Sequence, residues 1–175
     1  MKKTNFLNAL YDYLESNTGG NDLDFIYGSF ETFDDGTNQF LPLDGQQRLT
    51  TLFLLHYYLA AKDDKLEHYC MYLTYKSRSR FMYEVRTSSG EFCTALMHFK
   101  PSIEEPSEKN LKQLSNEIRN QKWFKLSWNH DPTIVSMLNM LDAIHHKFYF
   151  ADNYYQRLTR ENDPVITFQF LNLND

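Results

Sequence analysis

A predicted β-hairpin that runs directly into a predicted core helix constrains the fold more than any other feature of the chain. Aromatic and branched residues favour a strand at residues 24–33, and turn-forming residues 34–38 lead into a second strand at residues 39–43. Pro42 has no N–H to donate, so this second strand is expected at a sheet edge. An apolar stripe at helical spacing then predicts a buried helix at residues 46–61.

Most of the other predicted elements are helices. Apolar residues at helical spacing indicate a helix at residues 5–16. The segment 88–91 matches a capping box, with Ser88 as the cap and Glu91 three residues later, and predicts a helix that begins there. Further helices are expected at residues 111–118 and 132–149, and Asp131-Pro132 would begin the longer one.

Two other regions favour strands. Residues 70–75 and 80–86 resemble two short strands, although a helix that starts at residues 65–69 fits equally well. Residues 165–171 favour a final aromatic strand. Because no turn or partner follows this strand to cover it, we expect the chain to be a fragment of a longer protein.

The composition fits one folded domain. In this chain of 175 residues the hydrophobic fraction of 42% is slightly low, but the aromatic fraction of 16% excludes a disordered chain. The predicted fold class is α+β, with a small mixed β-sheet followed by a mainly helical half. Within the single domain 1–175, residues 1–87 would form the sheet-containing core with the motif helix, and residues 88–175 the mainly helical part that ends in a strand.

Several classes of protein are disfavoured. No apolar run approaches the roughly 18 to 20 residues that span a bilayer, and the first residues lack a signal core, so a cytoplasmic protein without membrane contact is expected. Cys70 and Cys93 have neither metal-ligand spacing nor a disulfide framework. The net charge of −5 means that any contact with nucleic acid must be local.

A cluster of polar side chains lies at the predicted turn between the hairpin and the buried helix. Its sequence is Asp44-Gly45-Gln46-Gln47-Arg48-Leu49-Thr50-Thr51-Leu52. The free N–H groups of a first helical turn favour anions, and phosphate is the natural ligand. Arg48 would bind phosphate oxygens in a bidentate way, and Gly45 would let the backbone approach closely. Amides and hydroxyls would donate to phosphate or position water, namely those of Gln46, Gln47, Thr50 and Thr51.

Asp44 needs a separate role because a bare carboxylate repels phosphate. It would bind a divalent cation or orient the attacking water, which makes Asp44 and Gln47 the candidate catalytic residues and Asp44 the candidate metal ligand. A simpler interpretation stays open: Asp44 and Gln47 form only a helix-capping box in a non-catalytic scaffold that binds DNA or a nuclease subunit. In that case Asp44→Ala should cost about 1 kcal/mol and Arg48→Ala very little.

The same nine residues resemble the hallmark of the N-terminal domain family of GmrSD-type modification-dependent restriction endonucleases. Tyr27-Gly28-Ser29 is similar to a glycine-containing strand of that family, and residues 168–171 are similar to a late strand, so the resemblance covers most of the chain. It implies a ParB/sulfiredoxin-like core, an NTP bound with Mg²⁺ at the motif turn, and NTP hydrolysis in a DNA restriction system for phage defence. The implied partners are a nucleotide and, through the parent protein or a partner nuclease domain, DNA.

The sequence departs from the family pattern at both ends. Family members usually begin with an Ile-Pro-x-x-Gln-Arg-x-Tyr-x-Trp-like segment thought to complete the nucleotide site, and nothing before Phe6 resembles it. Members often continue into an Asn-Ala-Arg-Gly-like segment and a His-based nuclease domain, neither of which is visible in this sequence. NTPase activity of this chain alone is therefore left open.

A second group of residues combines positive charge with aromatic rings. The basic members of this predicted hairpin are Lys76, Arg78, Arg80 and Arg86, and they alternate with Tyr75, Phe81 and Tyr83. Charge together with stacking side chains suits nucleic acid. A solvated hairpin whose aromatic rings face the core is the alternative.

Overall fold

The computed structural model describes residues 3–32, 34, 36–82, 87–106 and 110–173. Within these ranges the helices are α1 (Lys3–Ser16), α2 (Gln46–Lys62), α3 (Leu66–Leu73), α4 (Thr87–Met97), α5 (Gln113–Arg119), α6 (Pro132–Phe148) and α7 (Tyr154–Leu158), with a 3-10 helix at Leu126–His130. The strands are β1 (Asn21–Thr32), β2 (Asn38–Pro42), β3 (Thr74–Tyr75), β4 (Arg78–Ser79) and β5 (Ile166–Asn172). The predicted α+β class is confirmed.

The larger sheet is small and mixed, in the order β2-β1-β5. The central strand β1 pairs antiparallel with β2, with Gly28 opposite Pro42, and parallel with β5, with Ile26 opposite Phe170. The predicted hairpin and the edge position of Pro42 are therefore confirmed. The final strand is also confirmed, and one of its edges is paired with β1. As expected, apolar side chains of this strand are exposed: Phe170 is 50% exposed and Leu171 is 51% exposed.

The core is built around two long helices. The buried helix α2 supplies ten buried residues, from Thr51 to Ala61, and packs against α6. As predicted, Asp131 caps α6: its Oδ1 accepts hydrogen bonds from the N–H groups of Thr133 and Ile134, at 2.8 and 3.2 Å. None of the described helices combines the length and apolar character needed to span a membrane.

The predicted capping box at Ser88 is wrong. Helix α4 already includes Thr87, so Ser88 lies inside it, and its hydroxyl donates to Oδ2 of Asp131 at 2.6 Å. Glu91 instead pairs with Lys125, at 2.7 Å. The serine therefore links the first turn of α4 to the start of α6, a contact between distant parts of the chain that a local pattern does not show.

Within the described residues, the predicted strands at 70–75 and 80–86 are wrong except at residues 74 and 75. Helix α3 continues to Leu73, which confirms the helical alternative, and among the described residues β3 pairs only with the two residues of β4. Lys76 and Ser77 join them with positive φ angles of 48° and 61°, as a two-residue hairpin turn requires. Residues 80–82 are not in a strand, and residues 83–86 lie outside the described residues.

Candidate functional site

The motif turn opens onto a cleft of about 1070 Å³, called the motif cleft below. Its walls come from four parts of the chain: residues 5–13 of α1, residues 22–24 of β1, residues 43–51 around the motif turn, and residues 132–140 of α6. The hairpin places the motif turn directly at the N-terminus of α2, because β2 ends at Pro42 and α2 begins at Gln46. The predicted site residues 44–48, 50 and 51 all line this cleft.

The N-terminus of α2 has no side-chain cap. Gly45 is the N-cap residue with φ 82° and ψ 1°, no side chain among the described residues bonds the first N–H groups, and the first helical hydrogen bond runs from Leu49 N to Gly45 O at 2.9 Å. The predicted capping box of Asp44 and Gln47 is therefore wrong. The left-handed turn makes Gly45 the cap, and the Asp44 carboxylate then lies one residue too early to reach these groups.

Arg48 is held by the backbone of β1. Its Nη1 donates to Leu23 O at 2.5 Å and its Nη2 to Phe25 O at 2.6 Å, on either side of Asp24. Asp24 has φ 73° and lies within a β-bulge of β1. The guanidinium, in a side chain only 22% exposed, fixes the bulge against the motif turn. It also lies 3.4 Å from Oδ2 of Asp44, whose side chain is 56% exposed, so this ion pair is weak.

The other polar residues of the motif divide into bonded and available groups. The hydroxyls of Thr50 and Thr51 donate to the carbonyls four residues earlier, at 2.7 and 2.8 Å. Gln46 donates from Nε2 to Pro42 O at 2.9 Å. The exposed Gln47 side chain makes no hydrogen bond with any described residue. The amide of Gln47 and the carboxylate of Asp44 are therefore the motif groups most available to a ligand.

The described residues contain no group of three or more acidic, histidine or cysteine side chains that could hold a metal ion by themselves. Asp44 is a single, half-exposed carboxylate. Mg²⁺ commonly uses one or two carboxylates together with phosphate oxygens and water. The donor set therefore fits a cation that arrives with a phosphate ligand, and does not fit a structural metal centre.

The predicted basic hairpin is separate from the motif cleft. Lys76, Arg78 and Arg80 are exposed, and Arg86 lies outside the described residues. Lys76 Nζ and Arg80 Cζ lie 5.0 and 5.9 Å from the centroid of the Tyr75 ring. Phe81 instead stacks on the core residue Phe53, with 4.6 Å between the ring centroids. The aromatic residues of this segment therefore divide between the surface and the core.

Sequence reasoning missed the walls that α1 and α6 contribute to the motif cleft. Phe6 and Tyr13 come from α1, and Ser136 and Met140 come from α6, more than a hundred residues later. Both helices were predicted, but no local pattern indicates that their faces meet at the motif turn. The sequence did predict that α6 begins at Asp131-Pro132, and the first residues of that helix, Pro132 and Thr133, line the cleft.

A family model described as "GmrSD restriction endonuclease, N-terminal domain" matches residues 2–174. No curated protein and no solved structure matches the chain significantly. The family match covers nearly the whole sequence and includes every element of the motif cleft. The protein therefore belongs to the family of GmrSD restriction endonuclease N-terminal domains.

Proposed function

We propose that the motif cleft binds a nucleoside triphosphate with Mg²⁺, and that hydrolysis of this nucleotide in the intact protein serves the restriction of modified foreign DNA in phage defence. The observation that carries the proposal is the uncapped N-terminus of α2, which opens onto the cleft in a domain of this family. The backbone N–H groups of residues 46–48 have no side-chain cap from any residue that the structure describes. The positive end of the helix dipole adds to their attraction for phosphate.

The negative charges around the cleft favour a nucleotide that binds together with a cation, and disfavour an anion that binds alone. Asp22, Asp24 and Asp44 all line the cleft and disfavour an isolated polyphosphate. Asp22 and Asp24 already accept hydrogen bonds, from Asp24 N and Phe25 N, at 2.9 and 2.8 Å. Asp44 is the most available of the three, so it would hold Mg²⁺ or orient the attacking water. When bound, the cation would neutralise charge on the phosphate oxygens.

The remaining motif residues support this arrangement in different ways. Arg48 contributes positive charge, but two of its donors are committed to the β1 bulge, so its main role is to hold the turn in place. Gln47 is the side chain that donates to phosphate or positions water. The hydroxyls of Thr50 and Thr51 line the cleft but already donate to carbonyls of the first turn of α2.

A thermal-shift titration tests binding. ATP, GTP, CTP and UTP with Mg²⁺ are titrated into the wild type and into Gln47→Glu, which places a negative charge at the proposed phosphate site without changing side-chain size. Gln156→Glu is the matched control, because Gln156 is exposed on α7 and does not line the cleft. A ligand at 100 times its Kd stabilises the native state by about 2.7 kcal/mol, which shifts the Tm by several degrees.

We expect a shift with at least one nucleotide in the wild type and in Gln156→Glu, and a much smaller shift in Gln47→Glu. No shift with any of the four nucleotides at millimolar concentration would contradict the proposal. Release of inorganic phosphate then tests hydrolysis: Asp44→Asn should lower the rate of release by a larger factor than it lowers nucleotide affinity.

The basic hairpin favours DNA as a second ligand of this domain, and we propose it as the DNA-facing surface. Lys76, Arg78 and Arg80 are exposed and lie outside the motif cleft, and Lys76 and Arg80 lie beside the Tyr75 ring. Phosphate contacts by Lys and Arg make affinity fall as salt rises. The double variant Arg78→Glu/Arg80→Glu should weaken DNA binding and flatten this salt dependence. Unchanged DNA affinity in the double variant would refute this role.

A further inference from the structure

The wall of the motif cleft formed by α1 and α6 is mainly apolar, with Asn5, Thr133 and Ser136 as its polar members. On α1, Phe6, Ala9 and Tyr13 follow one another at intervals of three and four residues and therefore share one helical face. Met137 and Met140 of α6 line the cleft with them. At about 1070 Å³ the cleft is far larger than a phosphate group alone would fill, and has room for a whole organic ligand.

Tyr13 is an unusual aromatic residue in this protein. Most described aromatic side chains contact another ring; Tyr11, two residues earlier, lies 5.4 Å from Phe148 and 5.8 Å from Tyr154. Tyr13 is half-buried, makes no ring contact within the described ranges, and its hydroxyl has no hydrogen-bond partner there. Its ring packs against the edge of the hydrophobic core and lines the cleft, and its hydroxyl is a polar group that no described residue bonds.

We propose that the α1 face carrying Phe6, Ala9 and Tyr13, together with Met140 of α6, is a nucleobase subsite, with the ring of Tyr13 stacking on the base. This inference rests on the proposed function, since it assigns the base end of the ligand whose phosphates lie at α2. A ligand that fits both ends of the cleft needs a flat apolar part and an anionic part. A nucleotide has both, whereas a bare polyphosphate leaves the apolar wall exposed to water.

The comparison of two ligands tests the subsite. The Kd values of the best-binding Mg²⁺-nucleoside triphosphate and of Mg²⁺-tripolyphosphate, which lacks the base and sugar, are measured by calorimetry. The variants are Tyr13→Ala and Tyr13→Phe, with Tyr72→Ala as control, because Tyr72 is exposed on α3 outside the cleft. Ala9→Leu is a second variant, which narrows the base end by adding side-chain volume where the wall is only half-buried.

Loss of a base–aromatic stack weakens binding by a factor of about 5 to 150. We therefore expect Tyr13→Ala to weaken the nucleotide by that factor and leave tripolyphosphate unchanged, Tyr13→Phe to retain most of the nucleotide affinity, and Ala9→Leu to weaken only the nucleotide. Tyr72→Ala should change neither ligand.

Two outcomes would overturn the subsite. Tripolyphosphate could bind the wild type as tightly as the nucleotide, or Tyr13→Ala and Ala9→Leu could leave the ratio of the two Kd values unchanged, including by weakening both ligands equally. In both cases the phosphate site at α2 still stands. If the wild type binds neither ligand, the proposed function fails, and the subsite fails with it.

Discussion

Replacing Arg48 by Met should destabilise the protein far more than replacing Asp44 by Asn. The Met side chain keeps most of the apolar stem and removes two hydrogen bonds from a cationic donor to the carbonyls of Leu23 and Phe25. Such bonds contribute about 1.5 to 3 kcal/mol each when buried. Because the side chain is 22% exposed and water can reach the freed carbonyls, the expected loss in the free energy of unfolding is about 2 to 4 kcal/mol in total.

The loss expected from Asp44→Asn is small. Asp44 makes no capping bond, its ion pair with Arg48 spans 3.4 Å, and its side chain is 56% exposed. Exposed pairs of this kind contribute below about 1 kcal/mol. This order of effects is the reverse of the order that a helix-capping role for the motif predicts, in which Asp44 matters and Arg48 does not.

Urea unfolding at neutral pH measures both changes, with an unchanged m-value as the sign that the unfolding transition is comparable. Arg48→Lys is the graded control, since one ammonium lacks the planar fork that spans two carbonyls, and its loss should be intermediate. If Arg48→Met costs less than Asp44→Asn, or if Arg48→Lys is as stable as the wild type, the structural role of Arg48 is wrong.

Three further predictions follow from the fold. Gly28→Ala should destabilise the hairpin by at least about 1 kcal/mol, because its Cβ would lie 2.8 Å from a backbone atom of β2. Gly90→Ala should stabilise by about 0.5 to 1 kcal/mol, because a Cβ there would meet no described atom within 4 Å and Ala favours a helix interior. Thermal unfolding of both variants compares them. Asp131→Ala should cost about 1 to 2 kcal/mol in urea unfolding by removing the cap of α6. Burial lowers the pKa of His145 and of His56, so the unfolded chain binds more protons and the free energy of unfolding should fall as pH decreases below about 6.5. Equal stability at pH values of about 7 and 5.5 would contradict the last prediction.

Elements defined by neighbouring residues were predictable from the sequence. The hairpin, helix α2 and the Asp131 start of α6 each depend on alternation, helical spacing or a cap within a few residues. The β-like residues at 70–73 misled the prediction because Tyr69, buried in the core, holds this segment in helix α3. Tertiary packing overrode local propensity there.

The contacts that define the site come from distant residues. The carbonyls that hold Arg48 belong to residues 23–25 earlier in the chain, and they point toward it because β1 contains a bulge that no sequence pattern indicated. The motif sequence correctly located the polar turn, but not the residues of α1, β1 and α6 that line the cleft with it. It could not show that Gly45 would cap α2 in place of Asp44, since this depends on a positive φ angle. The nucleotide and metal roles of the motif stay predictions.

Arg48 has both a structural and an electrostatic effect on the site, and this determines how the site should be tested. A guanidinium that holds the β1 bulge also places a positive charge beside the first turn of α2, so its removal would lower nucleotide affinity through either effect. Gln47 has no hydrogen bond to any described residue, so its replacement changes the cleft without loosening the turn. If Gln47→Glu abolishes nucleotide binding at unchanged stability, the motif turn contacts phosphate directly. If only the Arg48 variants lose binding, and do so in proportion to their loss of stability, the turn is only a structural link between β1 and α2.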